Sequence, residues 1–81
     1  MNKIFYVITK IASDGRVLYL EHIGDKECSF TFDPNEAAIW KTYGNCIRFA
    51  IRRFGDLSKI SIGSINVKDR NEKRHKIGEA L

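Results

Sequence analysis

A stretch near the amino terminus carries apolar residues on both phases of a two-residue alternation. In Lys3 to Ile11, Ile4, Tyr6 and Ile8 share one side, while Phe5, Val7 and Ile11 share the other. A strand that is apolar on both faces is predicted to be central, with material packed against each side. Val17 to Ile23 is similarly rich in β-branched and aromatic residues, and Ser13-Asp14-Gly15-Arg16 lies between the two runs. Asp-Gly in that setting predicts a hairpin closed by a type I′ turn, which requires positive φ at both central residues. The polar cluster Gly24-Asp25-Lys26-Glu27 then turns the chain into Cys28-Ser29-Phe30-Thr31-Phe32. This third, short strand alternates cleanly, with Cys28, Phe30 and Phe32 on one side.

The period then changes. Asp33 suits a helix cap, Pro34 suits the first helical position, and Glu36 stands three residues after Asp33 as a capping box requires. A helix is therefore expected from Glu36 through Trp40. Gly44-Asn45 interrupts it, and Thr42 suits a second cap before Cys46 to Phe54, with Gly55 as the natural stop. One kinked helix and two short ones fit equally. Apolar residues at 46, 47, 49, 50, 51 and 54 cover more than half the circumference and predict a deeply seated segment. A last strand is expected from Lys59 to Val67. Ile60 and Ile62 lie in one phase and Ile65 and Val67 in the other, so Gly63-Ser64 marks an expected β-bulge.

These elements predict an α+β domain over residues 1–67, of order β-β-β-α(α)-β. A small antiparallel or mixed four-stranded sheet carries the helical segment on one face. Ile39, Trp40, Cys46, Phe49, Ala50 and Ile51 are expected to pack against Tyr6, Ile8, Phe30, Phe32 and Ile62, or against their opposite faces. Residues 68–81 form a charged tail, expected to be a short helix or disordered.

Length and composition narrow the class. Eighty-one residues suffice for one domain, with 43% hydrophobic residues and nine aromatics to build its core. A chain of this size hides roughly 60–65% of its unfolded surface, enough to fold without staples. Ile4 to Ile8 is the longest apolar run at the amino terminus, too short for a signal-peptide core or for the roughly 20 residues that span a bilayer. Cys28 and Cys46, in a chain without an export signal, are expected to be reduced thiols in a cytoplasmic protein. No membrane partner is expected.

Little points to catalysis. His22 and His75 lie in different elements, and neither has a Cys, His or carboxylate at metal-ligand spacing. The glycines form no phosphate loop. Asp14, Asp25, Asp33 and Asp56 fall where turns and caps want them. A Cys46–His22 nucleophile pair is the one enzymatic arrangement left, and a cysteine inside an apolar helical run is usually core. The expectation is a protein that is not an enzyme and that has no cofactor or metal.

Charge supplies the one feature that composition alone conceals. The net +4 divides into −2 over residues 1–36, +4 over residues 37–67 and +2 over residues 68–81. On a continuous helix, Lys41, Asn45, Arg48 and Arg52 would stack on one face with Arg53 beside them, and no acid lies between Ala37 and Gly55. A solvated helix face explains such a stripe most simply, since a helix on a sheet must show water a charged side. As a binding surface it suits the acidic face of a protein first and nucleic acid second, because no base-stacking motif accompanies it.

The core pattern resembles that of small accessory proteins of bacteriophages and prophages. The matching residues are Tyr6-Val7-Ile8, Tyr19-Leu20, Phe30 and Phe32, Ala38 to Trp40, Phe49-Ala50, and Ile60 with Ile62. The likeness spans residues 4–67 and rests on core positions, so it implies a fold and no site residues. Understood members of that group, anti-CRISPR proteins among them, bind and block host macromolecules. The resemblance thus implies a viral binding module working in a bacterial cytoplasm, through its basic helix face or an exposed sheet edge. A homodimer, by edge pairing or through the second apolar sheet face, is compatible with this.

Overall fold

The computed structural model describes residues 2–24, 27–55 and 57–68. Its strands are β1 (Asn2–Ile11), β2 (Val17–Ile23), β3 (Cys28–Thr31) and β4 (Ser61–Lys68), and its helix is α1 (Tyr43–Phe54). The sheet is antiparallel throughout, in the order β3-β2-β1-β4. The α+β class and the central place of β1 thus follow the sequence pattern. The tail from residue 69 onward, for which a short helix or disorder is expected, lies outside the described residues.

The β1–β2 turn differs from the expected type. Only Gly15 has positive φ, at 87°, so Asp14 does not take the left-handed conformation that a type I′ turn needs. Gly15 N–H donates to Ala12 O at 2.9 Å, and Ala12 N–H donates to Arg16 O at 2.8 Å. This is a three-residue loop, with Gly15 in the one position where a Cβ would be strained. Asp14 holds it from the side, accepting from Arg16 N–H and from Arg16 Nε at 2.6 Å.

Beyond that turn the hairpin opens. β1 and β2 pair directly only at Thr9↔Tyr19, Lys10↔Leu18 and Ile11↔Val17. Into the fork runs Ala37-Ala38-Ile39-Trp40, which the sequence pattern assigns to a helix. The segment is extended instead, and it satisfies both lips of the fork. Tyr6 and Trp40 exchange N–H···O bonds of 2.8 and 2.9 Å, and Ala38 N–H donates to Leu20 O at 2.8 Å. A helix here would leave the facing backbone groups of β1 and β2 buried without partners, which costs more than local helix propensity gains. The Asp33 cap is real: its carboxylate accepts from Asn35 N–H at 2.9 Å. It starts only a single 3-10 turn, Pro34–Glu36, which ends as Ala37 turns extended.

The wedge also decides the two cores. Its side chains alternate across the sheet, as in any strand. Ala38 and Trp40 join Ile8, Leu20, Cys46, Ala50 and Ile60 beneath the helix. Ala37 and Ile39 join Phe5, Val7 and Val67 on the other side. Phe5 is 3% and Val7 1% exposed, so the second face of β1 is covered at these positions, while Ile11, on the same face at the hairpin end, stays 65% exposed.

β4 pairs with β1 without a slip, from Asn2↔Lys68 to Thr9↔Ser61. The expected bulge at Gly63-Ser64 is absent, and the strand ends at Lys68 rather than Val67. The phase change in its apolar residues reflects burial on both faces: Ile62 packs towards α1, and Ile65 and Val67 pack on the opposite side. The sheet's irregularity lies in β2 instead, between Leu20 and His22 opposite Phe30 and Ser29. Phe32, expected in the core, lies past the end of β3 and is 47% exposed. Its ring carries the Arg16 guanidinium at 3.9 Å.

Candidate functional site

The helix begins where the sequence offers its second cap. Thr42 is extended, and its hydroxyl accepts from Asn45 N–H at 3.2 Å. Gly55, with φ at 81°, closes the far end, its N–H donating to Ile51 O at 2.9 Å. Between these caps only Cys46 and Ala50 are fully buried, with Phe49, Arg53 and Phe54 half-buried beside them. Trp40 and Phe49 pack with ring centroids 5.2 Å apart, which fixes the helix over the wedge. The segment is therefore less deeply seated than its apolar count suggests. Ile51, expected in the core, faces solvent at 49% exposure.

The five residues of the anticipated basic stripe take three different situations. Asn45, Arg48 and Arg52 lie on α1 at i, i+3 and i+7 and share its outward side, with Asn45 half-buried and both arginines exposed. Neither Arg48 nor Arg52 forms an ion pair or hydrogen bond among the described residues. Lys41 precedes the cap, so it is exposed near the start of the helix and does not stack on it. Arg53 points back into the protein. Its Nη2 donates to Gly24 O at 2.8 Å and its Nε to Cys28 Sγ at 3.2 Å, tying the end of α1 to the β2–β3 connection. The sequence does contain a signal for this, since Arg53 falls at i+7 from Cys46 and i+3 from Ala50, on the buried stripe.

The outward face is mixed rather than purely cationic. Ile51 lies on one flank of Arg48 and Arg52, and Tyr43 is 50% exposed at the amino-terminal end of the helix. Tyr43 stays anchored by an edge-on contact with Tyr6, ring centroids 5.8 Å apart. The count of apolar positions puts Ile51 in the core because it carries no information on how wide a stripe the sheet covers.

The enzymatic arrangement loses its nucleophile. Cys46 is fully buried, and burial pushes its thiol up to about 12, so it stays protonated at physiological pH. His22, its candidate partner, is exposed on β2. Both cysteines are free thiols. Among the described residues, no group of three or more His, Cys, Asp or Glu side chains is placed to hold a metal. Among the described residues, surface depressions of about 800 and 400 Å³ lie by the hairpin end and beside Tyr19 and Ile65. Neither is lined by a carboxylate, a histidine or a cysteine. No helix among the described residues is long and apolar enough to cross a membrane.

No family model, curated protein or solved structure matches this chain.

Proposed function

We propose that this chain is a small non-enzymatic binding module whose outward helix face engages an acidic surface on a protein partner. The observation that carries this reading is Arg48 and Arg52 side by side on α1, outward and unpaired among the described residues, next to a half-exposed Ile51. The chain from Ala37 to Gly55 contains no acid to neutralise them. Arginine and tyrosine are the residue types that protein interfaces favour. A phosphate-tracking surface would be more uniformly cationic. With Lys41 off the helix and Arg53 turned inward, the stripe presents two arginines, which favours a protein over nucleic acid. This reading is in keeping with the resemblance to phage accessory proteins, whose understood members bind and block host macromolecules.

The test places a photo-crosslinking amino acid at Ile51 in the full chain, in nuclease-treated lysate of its native cells. The reading expects a discrete protein adduct that disappears when Arg48→Glu and Arg52→Glu are introduced together. An adduct insensitive to the charge reversal overturns it. The nucleic-acid reading instead expects duplex DNA or RNA to bind at about 50 mM salt and release steeply as salt rises. Binding of that kind, lost with the same two substitutions, would replace the protein reading with it.

A further inference from the structure

The two edges of the sheet are guarded very differently. β3 is four residues long, sits beside the irregularity in β2, and is followed by Asp33, Pro34 and Glu36. Short length, a bulge and adjacent charge or proline are the usual defences of an edge strand. β4 is longer and regular, with no proline and no bulge, and its charged residues stand only at its two ends. Its eight residues run in continuous register against β1, and among the described residues nothing bonds to its other side. From Ser61 to Val67 the strand contains no charged residue and no proline. Lys59 and Lys68 bracket it, both exposed, and no acid lies between Leu57 and Lys68.

We infer that β4 is a second binding edge, which takes an extended segment of a partner protein by strand addition, the segment carrying acidic residues at both ends. The free edge supplies alternate backbone donors and acceptors to the incoming strand, and these supply affinity with little demand on its sequence. Specificity comes from the rim. Antiparallel pairing of β4 with a second copy would bring Lys59 of one chain towards Lys68 of the other, lysine facing lysine at both ends. An acid-ended segment reverses both contacts. The occupant is therefore a foreign strand and not another copy of this chain. This edge belongs to a different element from the arginine face of α1, and the two surfaces are independent.

The probe is a synthetic peptide of alternating valine and threonine with glutamates at both ends, added to the full-length protein at low salt. Saturable binding is expected, with slowed amide exchange on alternate residues of β4 and none on β3. The same peptide with lysine ends should bind roughly tenfold more weakly, the scale of two rim charge pairs. Exchanging Lys59→Glu and Lys68→Glu in the protein should invert that preference, and both positions are exposed, so the fold is not at stake. A peptide N-methylated at alternate amides along its pairing edge should not bind. The inference fails if β4 exchange is unchanged by either peptide, if the N-methylated peptide binds equally, or if peptide charge has no effect. It also fails if the protein sediments as a dimer with β4 already protected. Binding that survives Arg48→Glu with Arg52→Glu leaves this inference standing whatever becomes of the helix-face reading.

Discussion

The extended wedge Ala37–Trp40 and the helix α1 are separated by only Lys41 and Thr42, and both are dense in apolar residues. All four wedge side chains are fully buried, whereas α1 fully buries two of its twelve residues. The difference is geometric. A strand between two other strands, with a core on each face, has no free side, while a helix laid on a sheet is covered along one stripe. Apolar content is thus a poor guide to burial until the number of covered sides is known. The wedge should accordingly be the more fragile of the two regions, and the outer helix face the more tolerant.

The sharpest test of that contrast compares Trp40 with Ile51. Trp40→Ala is expected to cost about 3–5 kcal/mol, because it empties a site at the centre of the larger core. Ile51→Ala should stay within about 0.5 kcal/mol, as for an ordinary surface change. Equal losses in urea titrations of the two variants would show that α1 is as deeply held as the wedge. A second contrast lies within the helix, between neighbouring arginines. Arg53→Ala removes a charged hydrogen bond to Gly24 O and should cost about 1.5–3 kcal/mol, whereas Arg52→Ala should again stay within about 0.5 kcal/mol.

Smaller still is the helix cap. Thr42→Ala should destabilise by about 1 kcal/mol, and Thr42→Ser should restore most of that by keeping the bond to Asn45 N–H. The last effect vanishes near neutral pH. The Cys46 thiol is held at about 12 against an ordinary 9.0, so the folded state keeps a proton that the unfolded chain releases. Stability from this group is complete below pH 9 and declines as pH rises from 9 towards 12. Cys46→Ala should flatten that alkaline decline, measured by thermal melts across the range. At pH 8 a thiol reagent should modify Cys28 readily in the native protein and reach Cys46 only on unfolding.

What the linear pattern conveyed can be judged at particular residues. Alternation in Lys3–Ile11 and Cys28–Thr31 located strands, because a period of two is a local property of the chain. Thr42 and Gly55 marked the ends of α1 for the same reason: caps act within a turn. Glu36–Trp40 reads as helix because a real cap at Asp33 precedes it, and nothing in those residues records that β1 and β2 part beyond Thr9. The Gly63-Ser64 phase change reads as a bulge only for a strand buried on one side, and β4 is buried on both. Of the basic stripe, Arg48 and Arg52 lie outward on α1, while the place of Lys41 depends on where the helix starts. Arg53 depended on which side of α1 meets the β2–β3 connection.

By itself, then, the sequence determined the class of the domain, the order of its elements, the helix caps and the absence of acid from Ala37 to Gly55. All of these are set by residues close together along the chain. Only the tertiary structure decided that an apparent helix becomes a strand in a fork, that one arginine of an adjacent pair is structural, and that β4 lies at an edge of the sheet. Each of these depends on backbone groups or surfaces brought together from distant parts of the chain, whose unmet hydrogen bonds and uncovered faces outweigh local preference.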